Sequence, residues 1–337
     1  MRVARILFAL LVASSVALAG CGGARTTGKV DVNQLLEKKI RPNEMGMVMI
    51  IEYHRVEDEE SDYTRSIENF KKDMATFYEK GYRLIAFHDL LKGRIDVPAG
   101  TTPMVFSFDD STLCQFNYVK KGDKTVIDPN CALGLMQAFY NQHKDFGYTA
   151  QFNLLPQMFD QEDYKKKKLD YLETNGFEFG NHTVSHPSLG RQSDEAVQEE
   201  IATMAKDIKS VEPKATVDVL CLPNGSVPKN QALMYDGSFE GYKYHNNWAL
   251  LVGSNPFYPV WHYRNPGTLV PRIQAMDYDP EDGSGAEGSA YWLRYFDRHP
   301  ELRFISDGDP NTICAPSYME PRLTEDNMPS GVQFVGY

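Results

Sequence analysis

Met104-Val-Phe-Ser-Phe-Asp-Asp110 is apolar for most of its length and ends in two adjacent carboxylates. A short apolar run stopped by polar residues reads as a buried strand of an α/β protein, where functional side chains collect at strand ends. About seventy residues on, Gly180-Asn-His-Thr-Val-Ser-His-Pro187 follows the brief strand candidate Phe177-Glu-Phe179 and sets two histidines four apart. Taken singly, paired aspartates commonly cap helices and such histidines commonly sit on surfaces. Together the stretches offer a metal one carboxylate and two imidazoles, with one carboxylate left for proton transfer.

Outward from these stretches, strand and helix patterns alternate. Met47–Ile51 reads as a first strand, leading into Glu52, Tyr53 and His54. From Ser66, the spacing of Ile67, Phe70, Met74 and Phe77 predicts a helix that Gly81 ends. Leu84–Ala86 is a short strand candidate, and residues 111–130 read as a loop inserted after the aspartates. Helices are expected over Ala132–Gln142, Tyr164–Asn175, Ser193–Val211 (with Ser193 as N-cap) and Tyr291–Arg298. Strands are expected over Thr149–Leu155, Val217–Leu222, Ala249–Val252 and Leu302–Ser306, and residues 307–337 read as mostly irregular. The alternation predicts an α/β fold with parallel strands and one catalytic domain.

The chain is acidic. Arg2 and Arg5 head an apolar run from Ile6 to Ala17 that is too short to span a bilayer comfortably, followed by Leu18-Ala-Gly-Cys21. This resembles a bacterial lipoprotein signal, with residues 1–20 removed, Cys21 lipidated and residues 21–45 forming a tether at the cell surface or in the periplasm. Cleavage leaves 33 basic against 46 acidic residues, a net charge of −13. That balance excludes a nucleic-acid binder, and the chain implies no protein partner. Cys114, Cys131, Cys221 and Cys314 allow three disulfide connectivities or free thiols; proximity favours Cys114 with Cys131, a bridge worth roughly 3 kcal/mol.

Ser107-Phe-Asp-Asp-Ser111 followed by His182-Thr-Val-Ser-His-Pro187 resembles the polysaccharide deacetylases, the family with the chitooligosaccharide-deacetylase homology domain. The resemblance spans roughly residues 46–310 and implies a distorted (β/α) barrel within a catalytic domain at 46–325, with 326–337 as a tail. By that resemblance Asp110, His182 and His186 bind a divalent metal, usually zinc, and Asp109 is the general base. An oxyanion donor comes from the Leu222-Pro-Asn-Gly225 turn at Asn224, where the family usually has tyrosine. The implied activity is metal-dependent removal of N- or O-acetyl groups from a cell-wall or other polysaccharide.

Two positions depart from the family. Its arginine beside the base aligns with Cys221, and its late Leu-x-His aligns with Ile305-Ser-Asp307, which makes Asp307 the candidate acid. Asp307 needs a raised pKa for that role; His245 and His262 are alternatives. His54 reads as structural or supporting, and Trp248, Trp261, Trp292 and Tyr258 as sugar-stacking or core residues. These departures keep a second reading open, a glycan-binding barrel without turnover.

Overall fold

The computed structural model describes residues 31–253, 255–277 and 287–337. The predicted signal segment, Cys21 and the start of the tether lie outside the described residues. Nine parallel strands form one curled sheet: β1 (Met49–Tyr53), β2 (Tyr82–Leu84), β3 (Thr102–Phe108), β4 (Gln151–Leu154), β5 (Glu178–Asn181), β6 (Val219–Cys221), β7 (Trp248–Leu250), β8 (Leu269–Val270) and β9 (Ile273–Gln274). Their order is β8-β7-β6-β5-β4-β3-β1-β9, with β2 beside the start of β3. The terminal strands β8 and β9 are consecutive in the chain, separated by Pro271 and Arg272. One segment, residues 269–274, therefore pairs with β7 on one side and β1 on the other, making a distorted (β/α) barrel.

Strand alternation divides the core into two layers. Met49, Ile51 and Tyr53 of β1 and Met104, Phe106 and Phe108 of β3 join one cluster with Phe70, Phe77 and Met204 from the surrounding helices. Ile50, Val105, Val219, Cys221, Leu250 and Val270 form the other, inner cluster. The α-helices of the described residues are α1 (Val32–Glu37), α2 (Ile67–Glu79), α3 (Phe87–Leu91), α4 (Ala132–Gln142), α5 (Lys165–Thr174), α6 (Asp194–Val211) and α7 (Ser289–Arg298). The expected Ser193 cap is present, its hydroxyl accepting from the Ala196 N–H, and the Ser66 hydroxyl likewise caps α2 by accepting from the Asn69 N–H. Among the described residues, no helix is long and apolar enough to cross a membrane.

Several boundaries differ from the sequence reading. The inserted loop at 111–130 contains an antiparallel hairpin, Tyr118–Lys121 with Lys124–Ile127. Leu302–Ser306 makes isolated bridges to Asn43 and Met47 instead of a full strand. Residues 43–45, assigned to the tether, are buried in the domain, because Asn43 and Glu44 hydrogen-bond to residues 301–314. The expected tail is also part of the fold, since Gln333–Gly336 pairs in parallel with Thr312–Ala315. All four described cysteines are free thiols; Cys131, Cys221 and Cys314 are buried and Cys114 is partly exposed.

Candidate active site

The inner face of the barrel turns polar toward the carboxyl ends of its strands. Glu52, Ser107, Asp109, Asn153 and Arg272 are all fully buried there. Burial of so many polar groups is tolerable only if they satisfy one another. Arg272 does most of this, through a forked pair to Asp109: Nη1 donates to Oδ1 at 2.6 Å and Nη2 to Oδ2 at 2.8 Å. Its Nη1 also donates to Ser107 Oγ and its Nε to the Leu251 carbonyl. Asn153 adds a third donor to Asp109 at 2.7 Å. Gly180, opposite on β5, leaves the room Asn153 needs, since a Cβ there would lie 2.1 Å from its Oδ1.

Burial raises the Asp109 pKa, but the charges of Arg272, His182 and His54 and the Arg272 hydrogen bonds together outweigh it and hold the carboxyl well below the usual carboxylate range. Asp109 is thus ionised throughout the neutral range.

Asp110, His182 and His186 converge beside it. His182 Nε2 lies 3.5 Å and His186 Nε2 3.9 Å from Asp110 Oδ1, and one ligand atom from each falls within 4.8 Å of the others. Their backbone is bent to achieve this. Asp110 (φ 73°), Ser111 (φ 44°), Thr183 (φ 68°), His186 (φ 55°) and Asn224 (φ 56°) all occupy the left-handed region, at a cost of order 1–3 kcal/mol each. The histidine segment is therefore a turn and not the start of a helix. Asn181 Oδ1 accepts from Thr183 N–H, and Thr183 Oγ1 accepts from His186 N–H. Glu200 of α6 accepts the N–H groups of Val184 and Ser185.

A divalent cation fits this set. His182 Nδ1 contacts the Cys221 carbonyl at 2.9 Å, which makes it the donor and leaves the Nε2 lone pair free. That Nε2 is buried with no hydrogen-bond partner, an uncompensated polar atom aimed at Asp110 and His186. In the metal-free protein burial depresses the His182 pKa, but Cys221 and the two aspartates more than reverse this and push it above the ordinary histidine range.

A cavity of about 400 Å³ opens over these groups, lined by His54, Arg55, Tyr63, Asp109, Asp110, His182, His186, Asn224 and Val252. The structure thus brings together Asp109, Asp110, His182, His186 and Asn224. His54, which the sequence reading set among supporting residues, faces Asp109 across the cavity with Nε2 3.9 Å from Oδ2. Gln115 ties the two together by donating to both the His54 and Asp109 carbonyls.

Other expected residues lie elsewhere. Asp307 is at the opposite end of the barrel. Its neighbour Ser306 bonds to Thr101, before β3 begins, whereas Asp109 follows the strand's end, about 20 Å away at 3.3 Å per residue. There the Asp307 carboxylate accepts from the Thr312 hydroxyl and the Asp309 N–H, while its own backbone N–H donates to the carboxyl of Glu44. His262 stacks on Tyr258 and accepts from the Arg264 N–H, with burial pushing it down to about 4. His245 pairs with Asp236 on an exposed hairpin. Trp261 donates to the Glu44 carbonyl, Trp248 packs on His88, and Trp292 packs among Tyr291, Tyr295 and Phe296. The aromatic at the cavity is Tyr63, edge-on to His54 at 5.0 Å. Arg272 was not anticipated, and its only signal was the absence of an arginine at Cys221.

Residues 103–244 match the family model described as polysaccharide deacetylase. Among solved structures the fold is similar to a deacetylase of Streptococcus pyogenes, PplD, in complex with acetate, with TM-score 0.53 and 13% identity, covering 74% of this chain and 97% of that one. It is also similar to IcaB from Ammonifex degensii, with TM-score 0.50 and 15% identity over 68% of this chain and 92% of that one. No curated protein is matched significantly. At such identities the likeness is one of fold, and the chemistry has to be argued from the side chains.

Proposed function

We infer, from a chain whose residues 103–244 match the polysaccharide deacetylase family model, that this protein is a metal-dependent hydrolase removing acetyl groups from a polysaccharide. The observation that carries the reading is the convergence of Asp110, His182 and His186 beside a carboxylate locked by Arg272. A divalent cation in that set, zinc by its nitrogen and carboxylate donors, supplies an acidified water and a polarised acetyl carbonyl.

The chain's own groups do the rest. Asp109 is ionised and oriented to accept the proton of the attacking water. The turn at Asn224 borders the cavity, where a backbone N–H can meet the developing oxyanion. His54 lines the same cavity with Nε2 3.9 Å from Asp109 Oδ2, and is placed to return a proton to the leaving nitrogen or oxygen. His54 thereby takes the role that Asp307 is too distant to fill.

Arg272 also removes one ground for the second reading, a barrel that binds glycan without turnover, because the base keeps its arginine. We place the mature chain at a bacterial surface or in the periplasm, anchored through a lipid on Cys21. That placement is supported by the basic, apolar and Leu-Ala-Gly-Cys order of its first residues. Acetate release from acetylated xylan and from N-acetylglucosamine oligomers, measured on zinc-loaded protein, tests the activity. Asp109→Asn and Asp110→Asn are each expected to lower it by at least 10²-fold. Glycan binding with no acetate release at metal saturation would instead establish the binding protein.

A further inference from the structure

Glu52 is a buried acid in an inward position of β1, only 1% exposed, and neither of its carboxylate oxygens has a hydrogen-bond partner. A carboxylate left in this state is costly, and such a residue in a functional site requires an explanation. Its neighbours supply one. Oε2 lies 3.0 Å from Arg272 Nη2, without the alignment of a hydrogen bond, since that nitrogen is directed to Asp109. Oε1 lies 3.7 Å from His54 Nδ1, and the other ring nitrogen of His54 looks across the cavity toward Asp109.

We propose that Glu52 is the positioning residue of His54: its carboxyl faces the Nδ1 edge of the ring at ion-pair distance, favours the orientation with Nε2 toward the cavity, and stabilises the imidazolium that donates to the leaving group. This rests on the deacetylase reading of the same site. Electrostatics favour Glu52 over any other group. A protonated His54 would stand near Arg272 and the cation set, both positive. The anions available to it are Asp109 and Asp110 on the cavity side, and Glu52 behind it. Asp109 must stay free to accept the water's proton and Asp110 is directed to the cation set, so Glu52 alone can compensate the ring from behind. Tyr63 covers the ring edge-on, and Arg55 borders the same cavity.

In the step itself, the C–N or C–O bond breaks, its electron pair goes to the leaving nitrogen or oxygen, and the proton moves there from His54 Nε2. Glu52 keeps its charge and transfers nothing.

The test uses Glu52→Gln, which preserves shape, with Glu52→Asp as the conservative variant. On N-acetyl substrate, Glu52→Gln is expected to lower kcat at least 10-fold with KM little changed, and to move the alkaline limb of kcat to lower pH. Glu52→Asp should recover part of the loss. Independently of turnover, ¹⁵N spectra of His54 in the zinc-free protein should show a protonated Nδ1 in the parent chain and a redistributed tautomer in Glu52→Gln. An unchanged pH profile and unchanged His54 spectrum in a folded Glu52→Gln protein would overturn the assignment. Should the parent chain release no acetate, the deacetylase reading fails, while the spectra still decide whether Glu52 sets the His54 ring.

Discussion

Arg272 and Asp109, 163 residues apart in sequence, form a two-bonded ion pair in which the arginine is completely buried and the aspartate 1% exposed. Removing one member of such a pair leaves an uncompensated charge, which costs about 3–5 kcal/mol. Arg272→Met is therefore expected to destabilise the fold by that amount in urea denaturation. Arg272→Lys keeps the charge but not the fork, and should retain more stability than activity.

Metal affinity should fall as pH drops. Loading the site requires a neutral His182, yet burial, the strongest influence on its pKa, is overridden by Cys221 and the aspartates, which favour the protonated ring. Cation uptake must then release protons. Calorimetric zinc titrations in buffers of different ionisation enthalpy should show that release, and Asp110→Asn should abolish high-affinity binding.

Gly180→Ala is expected to damage catalysis without touching a catalytic group. The new Cβ would fall 2.1 Å from Asn153 Oδ1 and push that side chain off Asp109. A loss in kcat exceeding that of Asn153→Ala would show that the displaced amide also disturbs Arg272; equal losses would limit the effect to one hydrogen bond.

At the far end of the barrel, His88 sits between Glu178 at 2.7 Å and Asp218 at 2.8 Å. Burial disfavours its charge, but these two acids prevail and raise it to about 9 from 6.5. Because the folded-state value is raised, its stabilisation is complete below about pH 6.5 and is lost as pH climbs through 9. The full effect is on the order of 3 kcal/mol at 1.36 per unit. Denaturation midpoints at pH 6 and pH 10 should differ in the parent chain and converge in His88→Asn.

The parts of the fold legible from sequence were those with local signals. The run to Asp110 and the spacing of His182 and His186 gave the strand ends, and Ser66 and Ser193 gave two helix starts. What escaped had no local signature. Residues 269–274 make two-residue strands whose pairing is set by the partners waiting on either side, so neither periodicity nor length betrays them. His54 was visible as a residue but not in its role, because facing Asp109 depends on how β1 pairs with β3. Asp307 follows a stretch that forms no full strand, and chain order alone does not reveal that its carboxyl is engaged by Asp309 and Thr312 at the other end of the barrel.

The seam at 269–274 has a practical consequence for how this protein is divided. The family match runs from 103 to 244, so it stops before Arg272 and starts after His54. A fragment trimmed to that window would carry every predicted cation ligand and the base. It would lack the histidine facing the base, the guanidinium that holds it, and the 269–274 segment that pairs with both β7 and β1. The guanidinium has only to arrive at one point in space, and in this chain it reaches Asp109 from the link between β8 and β9.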